Sequence, residues 1–191
     1  MIPHLLVVDQ FFSRPEKVRA FAELLQYGPA KDHEGVEYPN VSLNVPDSVK
    51  NEVSLNLNTI LGQPITINKI GFRLNLLNDP QPYWAHNDVP MGQFNLIVTL
   101  TNDEYCQGGT VVLKHETGMN IALTEKEMAL VRQDTNDESK WTVISASSAA
   151  FNRAVIVPSY LFHARMPKAG FGRSIVDGRL VLLAFFSYKE E

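Results

Sequence analysis

The sequence predicts a mainly β fold in which two N-terminal helices support a sandwich or barrel of strands. Three observations lead to this class: apolar residues follow helical spacing in two stretches before residue 62, they alternate or run continuously after it, and tight turns separate the later runs. A chain of 191 residues favours one domain. We therefore expect a single domain over residues 1–191, with a mostly helical support at 1–62 and a β-barrel core at 63–191.

The first elements are a short apolar strand at residues 5–8 and an amphipathic helix. Ser13 and Glu16 have the spacing of a capping box, in which each side chain accepts a hydrogen bond from the other residue's amide. Pro15 lies in the first turn, where a missing amide is tolerated. Apolar residues then recur at helical spacing, so a helix is predicted over 15–27.

The second helix is predicted to begin with Asp47 as its N-cap and to end before Gly62. Residues 28–46 contain several helix and strand breakers and are predicted to be a loop.

Strands are predicted wherever apolar residues alternate or run together between turn residues. These runs lie at residues 65–77, 94–100, 110–114, 141–145, 154–157 and 179–186. One short helix at 124–132 interrupts them, starting with a capping box from Thr124 to Glu127. The run from Leu180 to Phe186 is apolar on both faces, so one face should line the barrel while the other lies under the helices.

Composition restricts the function classes. The chain has 17 basic and 21 acidic residues and a net charge of −4, so it has no general attraction for nucleic acid or anionic lipid. Cys106 is the single cysteine, which excludes an internal disulfide. The start of the chain lacks a basic segment followed by an apolar core, and the longest apolar run is too short to cross a bilayer. We expect a cytoplasmic protein without nucleic-acid or membrane partners.

The pattern His86-x-Asp88, followed much later by His163, predicts a metal site. Residues i and i+2 of a strand point to one face, so His86 and Asp88 can aim at one point in a barrel mouth. His163 follows a buried strand and should also lie near a strand end. Two neutral imidazoles and one carboxylate on one side of a metal suit Fe(II), because they leave positions open for other ligands.

Arg179 supplies a cation close to this predicted site. It begins the last strand and shares a face with Val181, Leu183 and Phe185. A guanidinium inside an apolar barrel needs an anion, and it binds a carboxylate through two parallel hydrogen bonds. A solvated strand end, or pairing with Asp177, is the ordinary alternative for such a residue.

These segments together resemble the 2-oxoglutarate/Fe(II) oxygenase superfamily, on its prolyl-hydroxylase-like side. Four stretches carry the resemblance: Tyr83 to Asp88, which is similar to its aromatic-x-x-H-x-D segment; Leu96 to Asn102 followed by Gly108-Gly109-Thr110; Asn152 to Pro158 followed by His163; and Gly178-Arg179-Leu180, ending in Phe185-Phe186.

The resemblance implies a double-stranded β-helix, also called a jelly-roll or cupin-like barrel. It implies Fe(II) held by His86, Asp88 and His163, and 2-oxoglutarate bound to the iron at one end and to Arg179 at the other. The implied activity is a dioxygenase, and more narrowly a hydroxylase, that uses O2 and couples decarboxylation of 2-oxoglutarate to succinate with oxidation of a small molecule or a protein side chain. A non-catalytic jelly-roll interaction module and a cupin-type metalloenzyme that does not use 2-oxoglutarate are the alternatives.

The chain departs from the family pattern at two places. The family often has a tyrosine about ten residues before the first histidine, whereas Leu76 and Leu77 stand there, so Asn75 or Tyr83 would have to replace it. The separation of His163 and Arg179 is longer than usual, which makes Arg173 the rival for the co-substrate anion. We favour Arg179 because Arg173 lies in a glycine-rich stretch.

His115 is the remaining histidine that could be mistaken for a ligand. It ends a predicted strand, and we interpret it as an exposed strand-end residue.

Overall fold

The computed structural model describes residues 4–31 and 35–190. The strands are β1 (Leu6–Val8), β2 (Gly28–Lys31), β3 (Glu37–Ser42), β4 (Ile65–Asn75), β5 (Phe94–Thr99), β6 (Gly109–His115), β7 (Trp141–Ser148), β8 (Ala154–Pro158), β9 (His163–Met166) and β10 (Arg179–Tyr188). The α-helices are α1 (Pro15–Glu23), α2 (Asp47–Leu61) and α3 (Glu125–Val131). Short 3₁₀ helices occupy Val89–Met91, Asp103–Tyr105, Arg132–Asp134 and Glu138–Lys140.

The strands form two antiparallel sheets. The large sheet has the order β1-β8-β5-β10-β4-β3-β2, and the small sheet has the order β7-β6-β9. Ile97, Val155 and Val181 of the large sheet share an apolar cluster with Val112 of the small sheet. The two sheets therefore pack face to face, as in a jelly roll.

Strand β10 lies at the centre of the large sheet, between β5 and β4. Leu180, Leu182 and Phe186 are fully buried in a cluster that also contains Val53 and Leu57 of α2. Val181, on the opposite face, packs between the two sheets. The prediction that one face of this strand lies under the helices and the other lines the barrel is confirmed.

The helix starts follow the sequence predictions only in part. Pro15 opens α1, but Ser13 does not cap it, and its backbone amide donates to Glu52 Oε1 at 2.7 Å instead. Helix α1 ends at Glu23, earlier than predicted, and Pro46 rather than Asp47 is the N-cap of α2.

Two other helix ends form as predicted. Gly62 ends α2 in the left-handed conformation at φ 71°, and Thr124 and Glu127 make both hydrogen bonds of a capping box at α3.

Three strands were not predicted. Strands β2 and β3 lie in the segment that was predicted to be a loop. They were missed because Pro39 and Asn40, which is left-handed at φ 53°, interrupt the alternation of apolar residues that marks a strand. They extend the large sheet at the edge next to β4, so the N-terminal segment contributes strands as well as helices. Strand β9 was missed because it is only four residues long and two of those residues, His163 and Arg165, have ionisable side chains.

Gly108 and Gly109 allow β6 to lie between its two neighbours. A Cβ at Gly108 would stand 2.1 Å from the backbone oxygen of Met166, and a Cβ at Gly109 would stand 1.9 Å from that of Ser147. Only glycine fits this close approach. The pair therefore fixes β9, which carries His163, against β6.

No helix within residues 4–31 and 35–190 combines the length and apolar character needed to cross a bilayer.

Candidate metal centre

The backbone brings His86 and His163 side by side. His86 lies in the segment between β4 and β5, where it forms an isolated bridge with the first residue of β9. The His86 amide donates to the His163 oxygen at 3.2 Å, and the His163 amide donates to the His86 oxygen at 2.9 Å. The prediction that His86 and Asp88 share one strand face is wrong, because only His86 pairs. Asp88 is held separately by its amide, which donates to Ser159 O at 2.9 Å.

The three predicted ligand side chains converge. One ligand atom from each of His86, Asp88 and His163 lies within 4.8 Å of the others. Asp88 Oδ2 is 3.1 Å from His163 Nε2 and 3.9 Å from His86 Nε2. The spread is small enough for a single ion to contact all three atoms after modest side-chain adjustment.

Backbone carbonyls orient both imidazoles. His86 Nδ1 lies 2.9 Å from Trp84 O, and His163 Nδ1 lies 2.9 Å from Leu161 O. A carbonyl can only accept, so each Nδ1 carries a proton and Nε2 is the ring atom left for a metal once it is deprotonated. Ligating histidines in metal sites are held in this way. The donor set therefore fits a divalent metal of the iron type, with one face left open.

Asn95 of β5 supports the carboxylate. Its Nδ2 donates to Asp88 Oδ2 at 2.6 Å and lies 3.2 Å from His163 Nε2, while Ser159 Oγ donates to Asn95 Oδ1 at 3.1 Å. Asn95 was not predicted from the sequence as part of the site. The available signal was an amide side chain within an otherwise apolar strand, which needs a polar partner when it is buried.

Burial and charge separate the protonation behaviour of the three ligands. Burial, with a contribution from the neighbouring His163, lowers the pKa of His86 to about 4. Burial opposes the charges on Asp88 and His163, but their hydrogen bond outweighs it. This hydrogen bond between the two side chains lowers the pKa of Asp88 to about 2 and raises the pKa of His163 above its usual range.

We therefore expect one proton to compete with the metal at pH values between the pKa of His86, about 4, and the raised pKa of His163. A metal needs neutral imidazoles. In the metal-free protein His163 gains its proton as the pH falls through its raised pKa, whereas His86 stays neutral until about pH 4. Metal affinity should fall about tenfold per pH unit below the pKa of His163. Calorimetric Ni(II) titrations across this range would measure the slope, and a hundredfold fall per unit would contradict the assignment.

A cavity of about 330 Å³ opens onto the triad and is also lined by Arg179. Arg179 is 9% exposed, and its Nη1 donates to Asn75 Oδ1 at 3.0 Å. Burial, together with the nearby cations of Arg165 and Arg73, lowers its pKa to about 9. In the part of the chain that the structure describes, no carboxylate pairs with this guanidinium.

Arg173, the predicted rival, is exposed and does not line the cavity. The Asp177 carboxylate accepts from the backbone amides of Arg173 and Ser174 and does not pair with Arg179. The geometry therefore favours Arg179 over Arg173 as a residue that could meet an anion beside the triad.

Two further arginines on the strands that line the cavity were not predicted from the sequence. Arg165 lies two residues after His163 on the same face of β9, and Arg73 lies two residues before Asn75 on the same face of β4. The i, i+2 spacing was the available signal. Nothing local distinguishes such an arginine from one on a solvated face.

Tyr83 and Trp84, the two aromatic residues that precede the triad in the sequence, lie in different environments. Tyr83 lines the cavity, whereas Trp84 is 3% exposed in an apolar cluster and donates from Nε1 to Arg165 O at 2.9 Å. Asn75 contacts Arg179 directly, while Leu76 and Leu77 do not line the cavity. Asn75 is thus better placed than either leucine to assist Arg179.

The prediction that His115 is exposed is wrong. Its side chain is buried, its ring packs edge-on against Trp141 at 4.8 Å, and its Nε2 lies 3.3 Å from Asp134 Oδ2. The segment that carries Asp134 folds back over the end of β6 and covers it. His115 is a structural residue outside the triad.

The fold and the three converging side chains define a jelly-roll protein with a candidate non-haem metal centre. No protein-family model and no curated protein matches the sequence. Solved structures do match the fold. The non-heme alpha ketoglutarate dependent epimerase SnoN from nogalamycin biosynthesis has a TM-score of 0.63 at 12% identity, over 96% of this chain and 78% of that one.

Two further structures show the same likeness. HygX from Streptomyces hygroscopicus, with nickel and 2-oxoglutarate bound, has a TM-score of 0.62 at 13% identity, over 96% of this chain and 82% of that one. EctD from S. alaskensis, with bound Fe, has a TM-score of 0.55 at 11% identity, over 96% and 72%. The predicted jelly-roll fold, and the resemblance to 2-oxoglutarate/Fe(II) oxygenases at the level of fold, are confirmed. The finer prolyl-hydroxylase-like placement stays a prediction.

Proposed function

We propose that the protein is an Fe(II)- and 2-oxoglutarate-dependent dioxygenase that hydroxylates its substrate. The observation that carries the proposal is the position of the buried Arg179 guanidinium in the same cavity as the His86, Asp88 and His163 triad, with no carboxylate partner among the described residues. An unpaired buried charge is costly, so a guanidinium kept in this position needs an anionic ligand.

The chain's own residues account for binding and orientation. His86 and His163 would offer Nε2 to the metal and Asp88 would offer a carboxylate oxygen, which partly neutralises the dication. Arg179 would bind the distal carboxylate of 2-oxoglutarate through charge-assisted hydrogen bonds, and Asn75 would hold the guanidinium in place. When bound, Fe(II) supplies oxidation of a C–H bond by O2, coupled to conversion of 2-oxoglutarate to succinate and CO2.

The structural neighbours support the use of a metal and 2-oxoglutarate, but they do not identify the reaction that this protein catalyses. HygX is described with nickel and 2-oxoglutarate, and SnoN is described as an alpha ketoglutarate dependent epimerase. A cytoplasmic location and the absence of nucleic-acid and membrane partners stay predictions from the sequence.

An anaerobic titration tests the proposal. Addition of 2-oxoglutarate to the Fe(II)-loaded protein should produce a visible metal-to-ligand charge-transfer band, because the keto acid chelates the metal. The His86→Ala variant should give no band. Admission of O2 to the wild type should yield succinate.

The outcomes separate the alternatives. A featureless spectrum with confirmed metal loading would reject co-substrate binding and favour a cupin-type enzyme that does not use 2-oxoglutarate. A protein that takes up no Fe(II) would favour a non-catalytic jelly-roll module.

A further inference from the structure

Arg73 is a second cavity cation that the proposed co-substrate does not account for. Its side chain lines the cavity, and its guanidinium carbon lies 4.7 Å from the centre of the Tyr38 ring. Its Nε and Nη2 are buried, and neither has a hydrogen-bond partner among residues 4–31 and 35–190. In the described part of the chain, no carboxylate forms an ion pair with it.

The position of Arg73 differs from that of Arg179. In the register of the large sheet, Arg73 aligns with Val181 of β10, two residues beyond Arg179 in the direction of Phe185. Phe185 aligns with Asn95, whose side chain donates to Asp88. Along this sheet, Arg73 therefore lies nearer to the triad than Arg179 does. Its neighbour Tyr38 belongs to β3, the strand that also supplies Val41 to the cavity wall.

The cavity is basic, although the whole chain has a net charge of −4. Among its acidic lining residues, Glu125 is paired with Arg132, and Asp88 belongs to the triad. The other charged side chains that line it are Lys31, Lys69, Arg73, Arg165 and Arg179. A cleft lined by one sign of charge concentrates ions of the opposite sign.

A 2-oxoglutarate dianion neutralises only part of this charge. Its keto-acid carboxylate would lie at the metal, and its distal carboxylate would lie at Arg179. Arg165 also lines the cavity, and its Nη2 donates to Lys168 O at 2.9 Å. Among the described residues, Arg73 is left with unpaired N–H groups in the cavity that the triad also lines, where a substrate must lie to be oxidised.

We propose that the substrate is a small organic anion and that Arg73 binds its carboxylate or phosphate group. This inference rests on the proposed function. Arg73 would set both the charge class of the substrate and its distance from the metal, because a guanidinium holds an oxyanion in a fixed two-bond geometry.

The test uses Ni(II)-loaded protein saturated with 2-oxoglutarate, so that the co-substrate site is filled. Calorimetry would measure the binding of 3-phenylpropionate, of its neutral amide 3-phenylpropionamide and of inorganic phosphate. We expect at least one of the two anions to bind, and the carboxylate to bind at least about tenfold more tightly than the amide if it is the preferred group. The comparison of carboxylate with phosphate identifies the anion that the site prefers.

Variants locate the binding group. Arg73→Gln should abolish the binding of the preferred anion, and Arg132→Gln, which removes a charge of the same cavity that is already paired, should retain it. Arg73→Gln should also raise the melting temperature of the metal-free protein, because it removes an unpaired buried cation. If Arg73→Gln does not fold, Arg73→Lys should bind the anion more weakly while keeping the charge.

Three results would overturn the inference: equal binding of the carboxylate and the amide without phosphate binding, no binding of either anion, or unchanged anion binding in the Arg73 variant. A loss of 2-oxoglutarate affinity in Arg73→Gln would also overturn it, since Arg73 would then belong to the co-substrate site. Failure of the proposed function appears separately, as the absence of the Fe(II)/2-oxoglutarate band in the wild type. In that case, the same anion titrations without 2-oxoglutarate, on wild type, Arg73→Gln and Arg179→Gln, still decide whether Arg73 binds anions.

Discussion

Replacing Arg179 with glutamine is expected to weaken 2-oxoglutarate binding by at least about 100-fold, because two charge-assisted hydrogen bonds are lost together. Metal affinity should stay within a few-fold of the wild type, since Arg179 is not one of the three converging ligands. The measurement is a calorimetric titration of 2-oxoglutarate into the Ni(II)-loaded variant, because nickel holds the co-substrate without turnover.

Arg173→Gln is the matched control. It removes the same charge from the same stretch of chain, but from an exposed side chain outside the cavity. We expect its affinity for 2-oxoglutarate to equal that of the wild type. If Arg173→Gln loses the affinity and Arg179→Gln keeps it, the assignment is reversed.

Stability should respond in the opposite direction to binding. Arg179 is buried beside two other cations, and within the described part of the chain Asn75 is the one polar side chain that accepts a hydrogen bond from it. Glutamine at this position relieves repulsion among the three arginines, so the free energy of unfolding of the ligand-free protein should not fall. A residue that costs stability without ligand and supports binding with it is best explained by a binding role.

The sequence predicted the large sheet well where local pattern and global position agree. Strand β10 has apolar residues on both faces, and the structure buries both. The i, i+2 spacing of His86 and Asp88 led to the correct residues for a partly wrong reason. The two side chains converge through a backbone bridge to His163 and a hydrogen bond to Ser159, rather than through one shared strand.

The missed residues depend on pairings between distant segments. Asn75 meets Arg179 because β4 and β10 align those two residues in register, and no local pattern predicts that register. His115 looked exposed because Asp134, which covers it, lies in a segment after α3. Buried arginines such as Arg73 were missed because strand alternation alone does not say which polar face meets water.

The second large effect is expected on metal affinity. Two buried histidines, His163 in the triad and His115 outside it, allow a matched comparison. Replacing His163 with alanine should reduce Ni(II) or Fe(II) affinity by more than about 100-fold, because it removes a ligand and not merely one of the outer partners that cost 10–100-fold. His115→Ala removes an equally buried histidine that packs against Trp141 and Asp134. It should lower the free energy of unfolding by about 1–3 kcal/mol and leave metal affinity intact.

Melting temperatures with and without metal separate these two effects even if both variants lose stability. A metal that binds only the folded protein raises its melting temperature by mass action. Ni(II) should therefore stabilise the wild type and His115→Ala, but not His163→Ala. Since His86 and Asp88 remain in place in His163→Ala, retained metal stabilisation there would mean that two ligands suffice and that His163 is not part of the centre. Loss of the metal response in His115→Ala alone would move the site to the end of β6, where the structure places a buried histidine beside a carboxylate.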